Sequence, residues 1–234
     1  MNSLSIIMQA FALSDFLGKL IFTALFSLSI ISWYVLLTKI LYLKKMNLIS
    51  TGLKKLILEK RDRLLEVPKE RLKAAHPFGS IYLSFRGKTL EILEKNHYFS
   101  EGKTVFLSSN DMDLIESSVL SSIGKEAKRL EKNLFVLSTV VTLAPFLGLL
   151  GTVWGILITF SELQKGGVAA SNQFVLGGLA TALATTVLGL LIAIPALIGH
   201  SYLKNVIRQS FHEMEEFGSR LLSMIEIQYR KVEG

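Results

Sequence analysis

Cysteine is absent from the 234 residues, which removes disulfides, thiolate metal ligands and thiol nucleophiles in one step. Histidine is scarce, and His76, His97, His200 and His212 show no metal-ligand spacing, so neither a metal nor another cofactor is expected. Charged residues make up 19% of the chain against 50% hydrophobic, too little for a soluble domain that must keep a polar surface. A membrane protein is the class this implies. The net charge of +7 then reports topology and anionic phospholipid rather than nucleic acid. Phosphate-cradling glycine loops and nucleophile constellations are missing as well, and Glu162, Lys165 and His200 are too scattered for a catalytic cluster. An enzyme is not expected.

What the chain does have is long apolar runs. Crossing about 30 Å of hydrocarbon takes about 20 apolar residues in a helix. Three charge-free stretches are long enough: Leu20 to Thr38, Asn133 to Ser161, and Gly166 to Leu203. The third opens with the polar GGVAASNQ, so its span is placed from near Phe174. These runs predict an all-α polytopic membrane protein with three transmembrane helices, the second and third extended into the cytoplasm as long amphipathic helices. The expected division is an outer N-terminal segment (1–16), helix 1 (17–43), a cytoplasmic helical domain (44–133), helix 2 (134–160), an outer loop (161–173), helix 3 (174–200) and a cytoplasmic C-terminal helix (201–234). A cleaved signal peptide is disfavoured for the first run, because no basic residue precedes it and no small-residue cleavage site follows. The leading LSIIMQAFAL is too short to cross and reads either as an interfacial segment or as an unstructured lead.

Basic residues set the orientation. Lys44, Lys45, Lys54 and Lys55 follow the first run, Lys125, Lys128, Arg129 and Lys132 precede the second, and Lys204 and Arg208 follow the third, against Lys19 and Lys165 on the other side. The N-terminus is expected outside and the C-terminus in the cytoplasm. Leu120, Ile123, Ala127, Leu130, Leu134 and Leu137 recur at helical spacing and predict one uninterrupted helix entering the second span. Ile207, Phe211, Met214, Leu221 and Ile225 do the same beyond the third, with Glu213, Glu215, Glu216 and Arg220 on the solvated face. Between Lys44 and Asp111, Pro68 and the bend at His76-Pro77-Phe78-Gly79 punctuate shorter helices.

Two stripes of small residues stand out within the spans. Gly148, Thr152, Gly155 and Thr159 share one face of the second, and Gly178, Ala182, Thr185, Gly189 and Ala193 one face of the third, with Thr181 and Thr186 close by. Small residues let helices approach, and a hydroxyl inside a membrane needs a partner in protein or water. Such faces are packed or line a lumen, although threonines also bond back along their own helix and small stripes occur in unrelated bundles. Pro145 and Pro195 each remove a backbone donor, predicting local kinks.

APFLGLLGTVWGI (Ala144 to Ile156) and ALATTVLGLLIAIPAL (Ala182 to Leu197) resemble the second- and third-helix signatures of the TolQ/ExbB/MotA family of proton-driven motor subunits, and SWYVLLTK (Ser32 to Lys39) adds a weaker likeness. Three spans fit the TolQ/ExbB branch, and the short N-terminus suits TolQ. The resemblance implies a bacterial inner-membrane proton-channel subunit in a homo-pentamer around a TolR- or ExbD-like partner. That partner would carry an aspartate in its single transmembrane helix, and a TolA- or TonB-like protein would be a further partner. It implies that Thr152, Thr181 and Thr186 line the proton path. One position departs from the family: Thr181 stands where a glutamate is usual, and the second and third spans hold no carboxylate. The acid of a proton path must then come from elsewhere, or the subunit is a non-conducting scaffold. An ExbB-like role in energising outer-membrane uptake stays open beside a TolQ-like role in envelope maintenance and division.

Overall fold

The computed structural model describes residues 3–59, 64–65, 76–99, 106–164 and 172–229. Pro68 and residues 165–171 of the expected outer loop lie outside them. Six α-helices carry the described chain: α1 Ser3–Leu13, α2 Phe16–Glu59, α3 Pro77–Phe99, α4 Ser109–Glu131, α5 Leu134–Gln164 and α6 Asn172–Tyr229. Three segments are long and apolar enough to span a membrane, within Phe16–Met46, Ser109–Gln164 and Val175–Tyr229. The expected all-α class with three such helices is what the chain adopts.

The chain divides into two compact units, one of residues 1–39 and 133–203, the other of residues 40–132 and 204–234. In the first unit, α1 packs on the start of α2. The Ser14 hydroxyl donates to Ala10 O (2.6 Å) and the Asp15 carboxylate accepts from Gly18 N (3.0 Å), closing the α1–α2 bend. Phe11 then meets Phe22 edge-on, with ring centroids 6.0 Å apart. The leading apolar segment is therefore a helix. Leu36 lies against Gly199 of α6, a contact a larger residue at 199 would block. Both α5 and α6 continue through their internal prolines, Pro145 and Pro195.

The second unit is built around aromatic residues. Phe78, Tyr82 and Phe85 of α3 are fully buried, and Phe78 meets Phe217 of α6 edge-on at 5.4 Å. His76 stacks on Phe78 and its Nε2 lies 3.0 Å from Met46 O, while the Tyr82 hydroxyl donates to Leu64 O. Pro77 opens α3 at the first helical position, where its missing N–H costs nothing, so the bend expected here ends at His76. The α4 N-terminus carries a reciprocal cap: Asp111 N donates to the Ser108 hydroxyl (3.2 Å), and the Asp111 carboxylate accepts from Ser108 N (2.9 Å). Ile207, Met214, Leu221 and Ile225 are buried as their spacing predicted, and Glu215, Glu216 and Arg220 are exposed.

The periodic segment entering the second span departs from the sequence reading in two ways. It is two helices, because Lys132 is extended and Asn133 adopts a left-handed conformation at φ 68°, one that asparagine tolerates better than most side chains. Its buried stripe is Ile115, Val119, Ser122, Ile123, Glu126 and Leu130. Leu120 is exposed, one step off that stripe.

Candidate functional site

The α5–α6 seam is where two backbones approach through small residues. A Cβ added at Gly148 would come within 2.9 Å of both Thr185 O and Thr186 Cα, and one at Gly189 within 2.6 Å of Ala144 O. At Gly155 it would meet the Ala182 methyl at 2.8 Å. Glycine is required at these positions by the neighbouring chain, not by its own backbone angles. Ala144, Gly148, Gly151 and Thr159 of α5 and Ala182, Thr185, Gly189 and Ala193 of α6 are accordingly buried. Gly155 and Gly178 of the two small-residue stripes are half-buried, each with a neighbour on the opposite helix.

Hydroxyls accumulate at one point of the seam. The Gly148 carbonyl lies within hydrogen-bond reach of three: Thr186 (3.0 Å), Thr185 (3.1 Å) and Thr152 (3.2 Å). Thr152 also reaches Ala182 O at 3.1 Å and bonds the Thr186 hydroxyl, while Thr185 reaches Ala182 O at 2.6 Å. Each hydroxyl has one hydrogen, so the cluster holds more acceptor positions than protons and its bonds can be redistributed without moving a helix. Thr185 is buried, whereas Thr152 and Thr186 are half-buried at its edge.

Thr181 is not in this cluster. Its hydroxyl donates back to Gly177 O (2.9 Å), and the side chain lines a cavity of about 380 Å³ shared with Thr159, Thr185, Trp154 and the α1–α2 bend. Thr159 likewise donates back, to Gly155 O at 2.8 Å. The structure thus brings Thr152 and Thr186 together and sets Thr181 apart, lining the same cavity as a carboxylate that sequence reasoning missed. Asp15 Oδ2 accepts from Trp154 Nε1 at 2.9 Å. Asp15 falls within residues 1–16, the expected outer segment, outside the runs that define the spans. The Ser14-Asp15 pair ahead of an apolar helix, a familiar capping pattern, was the available signal.

Among the described residues, no group of three His, Asp or Glu side chains could hold a metal ion. The arrangement offers hydroxyls, carbonyls and one carboxylate, groups that bind water and small cations. Large apolar side chains face outward around it, including Phe146, Leu149, Val153, Leu157 and Phe160 on α5 and Leu183, Val187, Leu191 and Ile194 on α6. A surface of this kind requires lipid or other apolar helices around it.

Long apolar helices joined through a small-residue seam, with hydroxyls and carbonyls meeting inside, define a polytopic membrane protein of helix-bundle type. The sequence model of the MotA/TolQ/ExbB proton channel family matches residues 91–216, and the chain belongs to that family. It is 41% identical over 88 residues to the biopolymer transport protein ExbB of Aquifex aeolicus, covering 38% of this chain and 59% of that one. To ExbB of Xanthomonas campestris it is 31% identical over 139 residues, 58% of this chain and 53% of that one. To the Tol-Pal system protein TolQ of Haemophilus influenzae it is 26% identical over 216 residues, 87% and 88% of the two chains. The chain therefore spans a little over half the length of these ExbB relatives and most of the TolQ relative. The family is one of proton-channel subunits.

Proposed function

We propose that this chain is a proton-channel subunit of a bacterial inner-membrane complex, with its N-terminus outside and its C-terminus in the cytoplasm. The complex spends the proton motive force on a cell-envelope process. Several copies, five by the family resemblance, would surround a TolR- or ExbD-like helix whose aspartate takes up and releases the proton. The observation that carries this reading is the hydroxyl cluster at the Gly148 carbonyl, whose outer members Thr152 and Thr186 keep part of their surface free. A partner carboxylate alternating between ionised and protonated forms needs donors in one state and acceptors in the other, and a threonine hydroxyl supplies both. Each charge carried across the membrane is worth about 2.3 kcal/mol per 100 mV, enough to bias one helix packing over another.

The test is proton uptake by vesicles holding the chain together with a single-span TolR- or ExbD-like protein that carries a transmembrane aspartate. Thr152→Val with Thr186→Val is expected to slow uptake at least tenfold, and the corresponding pair of serines to keep most of it. Unchanged uptake in the valine pair removes the hydroxyl role. A TolQ-like task in envelope maintenance is supported by the likeness to TolQ along most of the chain, and an ExbB-like task by the higher identities over shorter stretches. Deletion separates them, since the first predicts leaky envelopes and division chains and the second loss of energised outer-membrane uptake. A non-conducting scaffold is the reading favoured by the departure at Thr181, and it predicts no uptake by the wild-type complex.

A further inference from the structure

The first unit is nearly free of charge. Across residues 1–39 and 133–203 its only acids are Asp15 and Glu162, and of these Asp15 lines the cavity between the α1–α2 bend and the α5–α6 seam. The wall opposite is Thr159, Gly178, Thr181, Ala182 and Thr185, with no second ionisable side chain among the described residues. Lys19, one turn further along α2, is exposed and is not part of the lining.

The two Asp15 oxygens accept from neutral donors, the Gly18 N–H and the Trp154 indole N–H. These fix the carboxylate in place without neutralising it. Asp15 is itself exposed, so water or a cation can reach its carboxylate, and among the described residues no basic side chain lines the cavity beside it. Thr185 belongs both to this cavity and to the hydroxyl cluster at Gly148 O, so the cavity and the cluster share a side chain.

We propose that Asp15 is the fixed negative charge that draws protons from the outer side into the cavity and positions them for the hydroxyl cluster. This role rests on the conduction reading above. This charge is separate from the partner's aspartate that carries the proton: it stands at the bend before α2, where the Trp154 indole N–H donates to it. Asp15 is thus a positioning residue: it attracts the charge and need not keep it.

The experiment uses the complete complex in vesicles and compares wild type, Asp15→Asn, Asp15→Glu and the double variant Asp15→Asn, Thr181→Glu. Asparagine keeps the size and one acceptor oxygen but removes the charge, and Thr181→Glu returns a charge to the same cavity from the opposite wall. Asp15→Asn is expected to slow uptake at least tenfold, with Asp15→Glu and the double variant within about threefold of wild type. A wild-type rate in Asp15→Asn overturns the proposal, and so does a loss that neither charged variant relieves.

A second readout does not depend on transport. With Trp33 replaced by Phe, Trp154 is the single tryptophan of this chain, and its emission is followed in the isolated chain as pH is lowered. A step that Asp15→Asn abolishes upholds Asp15 as the charge of the cavity, and emission that ignores pH overturns it. If the wild-type complex takes up no protons, conduction fails on its own while the Trp154 titration still decides the place of the carboxylate.

Discussion

The two units of this chain bury different side chains where their helices meet. In residues 40–132 and 204–234 the rings of Tyr82, Phe78, Phe85 and Phe217 are buried, while Tyr98 and Phe106 and charges such as Glu215, Glu216 and Arg220 are exposed. In residues 1–39 and 133–203 much of what is buried along the seam is small, Ala144, Gly148, Ala182, Gly189 and Ala193 among it, while Phe146, Leu157, Phe160 and Leu183 face outward. The difference follows from the surroundings each unit requires. Where water is outside, burying apolar area is worth about 25 cal/mol per Å², so bulk goes inward. Where hydrocarbon is outside, a leucine gains little by turning in, and close backbone contact with hydrogen bonds has to supply cohesion.

Substituting the same residue type in both units is the most direct way to break this contrast. Phe85→Ala, at a fully buried ring, is expected to cost about 3–5 kcal/mol, read as faster amide exchange across α3. Phe146→Ala, at a ring 68% exposed, is expected to stay within about 0.5 kcal/mol in thermal unfolding of the detergent-solubilised protein. Equal losses would remove the distinction. The reverse experiment is Gly148→Ala, which adds only a methyl but sets it against the α6 backbone. Overpacking of this kind is expected to cost about 1–3 kcal/mol, whereas Gly124→Ala in the other unit, where nothing lies within 4 Å, should stabilise α4 modestly.

The spans were legible because a run of about 20 uncharged residues admits few other readings, and the small stripes at Gly148 and Gly189 because helical spacing places them on one face. The α6 stripe through Met214 and Leu221 was legible for the same reason. The cavity was not, since Asp15 and Trp154 are 139 residues apart and no local pattern joins them. Leu120 was misjudged because two stripes one residue apart, one through Val119 and one through Leu120, fit the spacing equally well and only the packing partners decide between them. The grouping of Thr181 with Thr152 and Thr186 came from the family likeness, whereas their neighbours come from the packing of this chain.

The smallest expected effect belongs to the water-exposed side of the comparison. At the start of α4 the Asp111 carboxylate is pushed up by partial burial, but the bonds from Ser108 N–H, Asn96 and the Ser108 hydroxyl, with Lys95 nearby, outweigh this and hold it below the ordinary aspartate range. A lowered folded pKa means the cap contributes fully above the unfolded value and loses its contribution as pH falls through the folded one, from about pH 4 downward. Ser108→Ala is expected to cost about 1 kcal/mol at neutral pH. Amide exchange in the first turn of α4 should quicken in that variant, and the contrast with wild type should shrink in acid.

Asn133 has a consequence for how this sequence can change. A left-handed residue between α4 and α5 resets the helical phase, so the angular position of the Leu130 stripe does not dictate that of Gly148. Substitutions can drift around the circumference of α4 to suit one set of neighbours without rotating the threonines of α5 away from theirs. A single residue lets two chemistries on one chain be tuned separately, and a β-branched side chain there would be strained at this positive φ.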